Sequence, residues 1–234
     1  MQPDFPMMAQ GQTASTTRAL AQNRVLRNTY ALLALSLIPT IAGAWAGIQM
    51  NFARVFAGHP AISFIAFLTI AFGFFYGIEK TKNSGLGVAL LLAFTFFMGV
   101  WLAPMLGMVL GLANGWKLIA LAFGGTAVVF ATMASVAATI KRDLSGLGKF
   151  LFVGAVLLMI AMFANIFLQL PGLMIAMSVI AIGIFSAFML YDVNRIVTGG
   201  ETNYITATLA LYLDIYNVFI NLLAILGITG GSND

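Results

Sequence analysis

Apolar residues run through this chain in long unbroken stretches, and the polar residues fall into short gaps between them. Seven stretches approach the ~20 residues that a helix needs to cross a bilayer. They are Tyr30–Gln49, Ala61–Ile78, Gly85–Gly111, Leu118–Ile140, Phe150–Leu170, Leu173–Val197 and Tyr204–Ile228. Backbone groups in lipid must be satisfied within their own segment, so stretches of this length read as helices. The expected fold is all-α: a polytopic membrane protein with seven transmembrane helices in one bundle, the seventh at its centre. Residues 1–29 lack a long apolar run and read as a mobile tail, 30–228 as the transmembrane domain, and 229–234 as a short C-terminal tail.

Composition agrees with that plan: 61% of the 234 residues are hydrophobic and 8% are charged. Arg18, Arg24 and Arg27 precede a full-length span, not a short apolar segment with a cleavage site, so the first helix is expected to be uncleaved. If the N-terminal side is inside, it holds nine basic residues (Arg18, Arg24, Arg27, Lys80, Lys82, Lys141, Arg142, Lys149 and Arg195), whereas Arg54 and Lys117 lie outside. Basic residues concentrate on the cytoplasmic side of membrane proteins. The N-terminus is therefore expected in the cytoplasm and, after seven spans, the C-terminus outside. The same asymmetry accounts for the net charge of +4 without a nucleic-acid partner. No cysteine is present, which excludes disulfides, thiol catalysis and thiolate-bound metals.

Several features predict how the helices meet. Gly43 and Gly47, Gly73 and Gly77, and Gly107 and Gly111 each place two glycines on one helix face, a spacing that lets backbones approach closely. Packing within the chain is expected at these faces. Pro104 removes a backbone hydrogen bond inside the third run and predicts a kink or a break. Thr132, Ser135 and Thr139 form a weakly polar stripe whose hydroxyls are expected to bond their own backbone.

Two segments carry a family resemblance: Gly99-Val-Trp-Leu-Ala-Pro104 and Ala122-Phe-Gly-Gly-Thr126-Ala-Val-Val-Phe130. Together they resemble the signature of the Bax inhibitor-1 family (transmembrane Bax-inhibitor-motif proteins), with Ala103 standing where the family usually has Gly. The likeness extends from about Val25 to Ile228 and implies a seven-helix fold. Val25-Leu-Arg-Asn-Thr-Tyr30, Ala164-Asn-Ile-Phe-Leu-Gln-Leu-Pro171 and Gly199-Gly-Glu-Thr-Asn-Tyr204 are similar to a bacterial branch associated with modulating the membrane-anchored AAA protease FtsH. That branch implies a multi-pass protein of the bacterial inner membrane. In family members studied as calcium leaks, the last two helices carry paired aspartates that share a proton, and Tyr191-Asp192 and Tyr212-Leu-Asp214 match those positions. The resemblance thus implies either a pH-responsive calcium or cation leak or a non-enzymatic modulator of an AAA protease.

The aspartates also stand out without the resemblance, because a carboxylate at bilayer depth costs roughly 2.5–3.5 kcal/mol on insertion scales and is normally turned to use. Asp192 lies about five residues (~8 Å) from the end of the sixth run, and Asp214 about ten residues (~15 Å) into the seventh. If they meet, one proton shared between them can latch two helices, and its loss leaves two adjacent negative charges that repel and attract a cation. Asn217 and Asn221 extend the Asp214 face at i+3 and i+7, and Asn165 and Gln169 on the fifth helix are candidates for the same cavity. Oxygens of this kind suit Ca²⁺, held weakly and transiently by Asp192 and Asp214. Two alternatives stay open. Arg195, three residues from Asp192, offers a plain salt bridge in place of the shared proton, or all these polar groups bond one another and fix helix register. His59, in an outer loop, is expected to be solvated.

Catalysis finds no support in the motifs. Intramembrane aspartyl proteases pair Tyr-Asp with Gly-x-Gly-Asp and a later Pro-Ala-Leu; here the second aspartate follows Tyr-Leu, and Pro-Ala-Leu is absent. A retinal Schiff base would need a lysine that the seventh run lacks.

Overall fold

The computed structural model describes residues 7–58, 60–140 and 142–230, and among them all regular structure is helical. The helices are α1 (Met7–Gln49), α2 (Ala53–Gly58), α3 (Pro60–Thr81), α4 (Gly85–Leu110), α5 (Gly115–Thr139), α6 (Ser145–Leu168), α7 (Pro171–Thr198) and α8 (Tyr204–Gly230). Seven of them, all but the six-residue α2, are long and apolar enough to cross a membrane. His59 and Lys141 lie outside the described residues.

One boundary differs from the hydropathy reading. Helix α1 is continuous from Met7, and its spanning part begins at Leu20 rather than Tyr30. Residues 7–29 are rich in Ala, Gln, Leu and Arg, which are strong helix formers without being strongly apolar, so propensity extends the helix where hydropathy does not. Pro104 does not break the third span: α4 runs through it to Leu110. Helix α7 opens with Pro171 in its first turn and ends at Gly199, whose left-handed backbone (φ 83°) is the conformation glycine adopts without strain.

Glycines set the closest helix crossing, between α1 and α4. A side chain on Gly43 would overlap the carbonyl of Phe96, and one on Gly99 would overlap the carbonyl of Thr40. A Cβ on Gly47 would sit 2.6 Å from the methyl of Ala103. The spacing therefore predicts the α1 face correctly. In the second pair only Gly77 faces a neighbouring helix, where a Cβ would come 3.3 Å from Leu90 Cδ1 of α4; one on Gly73 or Gly107 would meet nothing within 4 Å. The Thr132, Ser135 and Thr139 hydroxyls donate to the carbonyls of Val128, Ala131 and Val136, as expected of helical hydroxyls.

Helix α8 is the hub. It packs against α1, α3, α4, α5 and α7, whereas α6 packs mainly on α7 and meets α3 through the stacked rings of Phe163 and Phe64. The core around α8 includes Phe94, Leu91, Ile78, Leu211 and Tyr212, all buried. Hydroxyls tie this core across helices: Tyr212 Oη lies 2.9 Å from Thr40 Oγ1, and Tyr216 Oη donates to the Met98 carbonyl at 3.1 Å. Central placement puts the Asp214 side chain where lipid cannot reach it.

Candidate functional site: a buried carboxyl pair

The last two turns of α7 carry Asp192, Asn194 and Arg195, and the middle of α8 carries Asp214. Both aspartates are buried, Asp192 at 8% and Asp214 at 5% exposure. Antiparallel packing of α7 on α8 makes the two side chains close electrostatic neighbours. Oδ2 of Asp214 has no donor from the described residues. Two facing carboxylates cannot hydrogen-bond without a proton, and a buried acceptor left unbonded is costly.

Arg195 takes up the other side of Asp192. Its Nη1 lies 3.6 Å from Asp192 Oδ1, and its Nη2 lies 3.5 Å from Glu201 Oε2 in the loop before α8. The guanidinium also sits over the Tyr191 ring, 5.5 Å from its centroid. Asp192 thus has both of the groups posed as rivals in the sequence as neighbours, Arg195 on its own helix and Asp214 on α8. Arg195 side-chain exposure is 34%, so this ion pair sits at the mouth of the site while Asp214 sits at its floor.

The amide face beyond Asp214 is bound to its own helix. Asn217 Nδ2 donates to the Leu213 carbonyl, and Asn221 Nδ2 to the Asn217 carbonyl, both at 2.8 Å. No cluster of three or more His, Cys, Asp or Glu side chains occurs among the described residues. Two carboxylates plus amide oxygens make at most a weak, transient site for a hard cation. Farther along α8 a separate cavity opens beside Asn221, and Asn165 lines it too; Asp214 and Gln169 do not. Gln169 instead ends α6 in a left-handed conformation (φ 52°), and Asn165 exchanges hydrogen bonds with the Leu170 backbone.

Two residues passed over by the sequence reading hold the loops around the site. Asn194 is fully buried; its Nδ2 donates to the Ile140 carbonyl at 3.0 Å, and its Oδ1 accepts the Leu144 amide at 3.3 Å. It pins the α5–α6 loop onto α7 two residues from Asp192. Asn203 accepts the Ile205 and Thr206 amides, capping α8, and donates to the Lys82 carbonyl and Asn83 Oδ1 in the α3–α4 loop. Three loops on one end of the bundle are thus tied to the carboxyl pair. An asparagine inside an otherwise apolar helical run was the available signal for Asn194.

Comparison with known proteins gives the family of the chain. The family model described as "Inhibitor of apoptosis-promoting Bax1" matches residues 22–231. "Modulator of FtsH protease YccA" of Escherichia coli K12 is 41% identical over 211 residues, covering 90% of this chain and 93% of its own. "Inner membrane protein YccA" of a second Escherichia coli strain, CFT073, matches to the same extent. An uncharacterised Pseudomonas aeruginosa protein is 39% identical over 228 residues, 96% of this chain and all of its own length.

Proposed function

This chain belongs to the Bax inhibitor-1 family of multi-span membrane proteins, and on that premise we propose that Asp192 and Asp214 form a proton-dependent latch between α7 and α8 that governs a weak calcium or cation leak. The observation that carries this reading is the burial of the two carboxyls beside each other, with Asp214 Oδ2 lacking a donor among the described residues. With the proton in place, α7 and α8 are bridged. Its loss at higher pH leaves two adjacent charges that push the helices apart and draw a cation toward Asp214, with Asn217 and Asn221 next along the face. Arg195 and Glu201 are the charged groups at the mouth, and Arg195 steadies Asp192 in either state. No step requires bond making in a substrate, so the protein acts without catalysis.

The test is calcium flux into liposomes across the neutral pH range. Parent flux should rise with pH, and Asp192→Asn or Asp214→Asn should flatten the profile because an amide does not titrate. Both variants keeping the parent profile would sink the latch.

A second reading is favoured by the relative named a modulator of FtsH protease: this chain is a non-enzymatic modulator of a membrane-anchored AAA protease in the bacterial inner membrane. The N-terminus and the three tied loops then face the cytoplasm, as the basic residues indicate, and the C-terminus lies outside. An AAA protease grips exposed chain ends, and a tightly packed bundle resists extraction from lipid. Deleting residues 2–17 should abolish co-purification with the protease while leaving the fold intact. Undiminished co-purification would move the contact to the membrane-spanning faces.

A further inference from the structure

Between α4, α6, α7 and α8, toward the C-terminal end of α8, lies a half-open cavity of about 300 Å³. Four methionines from three helices line it: Met105, Met162, Met174 and Met177. Three neutral polar side chains, Asn165, Ser178 and Asn221, also reach it, and no charged group among the described residues does. Asn165 is engaged with the Leu170 backbone. The other two have bonding capacity to spare. Ser178 is 2% exposed and its hydroxyl makes no hydrogen bond among the described residues, while Asn221, 4% exposed, donates through Nδ2 and leaves Oδ1 unpaired. Buried hydroxyls and amides normally find partners, so both point to a ligand that supplies them.

We propose that this cavity binds the head of a monoacylglycerol drawn from the bilayer. The absence of charge in the lining selects a neutral head, because a phosphate or carboxylate would be stranded without a counter-ion in a low-dielectric site. A hydroxyl-bearing head donates to Asn221 Oδ1 and accepts from Ser178, filling both vacancies at once. At ~30 Å³ per water-sized group the space holds roughly ten such groups, which matches a glycerol head and the first methylenes of one chain. Methionine side chains are flexible and polarisable and adapt to an irregular alkyl chain. Access is lateral: α6 rests mainly on α7, and half-exposed Met174 (41%) stands at the rim.

The test uses the full chain in nanodiscs with a monoacylglycerol carrying a diazirine near the head, irradiated and mapped by peptide mass spectrometry. Labelling should concentrate on Met162, Met174 and Met177, fall with excess monoolein, and persist with excess oleate or phosphatidylglycerol. Asn221→Leu combined with Ser178→Ala should lower it about tenfold. Should that variant fail to fold, Met174→Trp, which blocks the rim from a half-exposed position, should abolish cavity labelling while thermal unfolding stays unchanged. Uniform labelling of the lipid-facing helices, equal displacement by oleate, or undiminished labelling in Met174→Trp overturns the proposal. Labelling replaced by cross-links to a co-purified membrane helix would assign the cavity to a protein partner instead.

Discussion

The crossing of α1 on α4 and the packing of α7 on α8 are both intimate, but they are held by different physics. At the first, Gly43, Gly47 and Gly99 let two backbones touch, and the atoms they approach belong to Phe96, Val100, Ala103, Thr40 and Ala44. Helix association in lipid gains little from the hydrophobic effect, so such close van der Waals contact carries it. At the second, two buried carboxyls are neighbours beside an arginine whose side chain is about one-third exposed. One seam is set by shape and stays set. The other holds two ionisable groups, and under the latch proposed above its packing changes with their protonation. A bundle that anchors α8 firmly on its α1 and α4 side, through Tyr212 and Tyr216, can let its α7 side respond.

Breaking the shape-determined seam should have the largest effect. Gly43→Val drives a side chain into the Phe96 carbonyl, and backbone cannot move aside as a flexible side chain can. Overpacking of this severity costs about 3 kcal/mol or more. Thermal unfolding in detergent should show a large drop or no folded protein. Gly73→Ala is the control: with open space around its new methyl it should change stability by no more than about 0.5 kcal/mol. Equal damage from both would mean that the close α1–α4 approach is not what holds these helices.

The chemical seam should respond less in total stability and more in its dependence on pH. Asp214→Asn keeps the shape and supplies its own donors, so its cost should be about 1 kcal/mol, the scale of an interhelical hydrogen bond in membranes. Hydrogen exchange in the last two turns of α7 should accelerate with rising pH in the parent beyond the intrinsic chemical rate. In Asp214→Asn that excess should vanish. An excess that survives in the variant would place the pH response elsewhere in the chain.

How much of this was legible in the sequence divides along the same line. Hydropathy located the seven spans because lipid imposes length and apolarity on each of them. It missed the start of α1, whose alanines, glutamines and arginines favour helix without favouring lipid. Asp192 and Asp214 were conspicuous because charge inside an apolar run is rare. Their contact, and its coexistence with Arg195, depended on how α7 lies on α8, which no spacing within a single helix encodes. Three glycine pairs with one spacing illustrate the same limit. Spacing fixes which face a glycine occupies, but only the fold decides whether a neighbour comes to it, as α4 does at Gly43 and nothing does at Gly73. Asn194 went unread since its partners, Ile140 and Leu144, lie about fifty residues away in a loop.

Asn194 offers an intermediate perturbation. Asn194→Ala removes both hydrogen bonds to the α5–α6 loop and strands the Ile140 carbonyl and the Leu144 amide. The loss should be about 1–2 kcal/mol, and it should be local. Exchange at the Leu144 amide should rise sharply while the α1–α4 crossing stays protected. Uniform loosening of the whole bundle would show that the two seams are not independent.

The smallest effect should come from Arg195, although it carries the most visible charge at the site. Its two ion-pair contacts, at 3.6 Å to Asp192 and 3.5 Å to Glu201, are long, and a side chain one-third exposed is screened by water. Ion pairs in that setting contribute roughly 0.2–1 kcal/mol, and salt weakens them. Arg195→Gln should therefore lower stability by about 0.5 kcal/mol at low ionic strength and by less at high salt. Glutamine retains a donor within reach of Asp192 and part of the packing on Tyr191, which limits the loss further. The packing of Asp192 beside Asp214 should survive the change. Unfolding measured at two salt concentrations, with parent and variant side by side, decides the matter. A loss of several kcal/mol that ignores salt would mean that Arg195 is bound into the buried site rather than standing at its mouth, and the separation of a rigid frame from a responsive carboxyl pair would have to be redrawn around it.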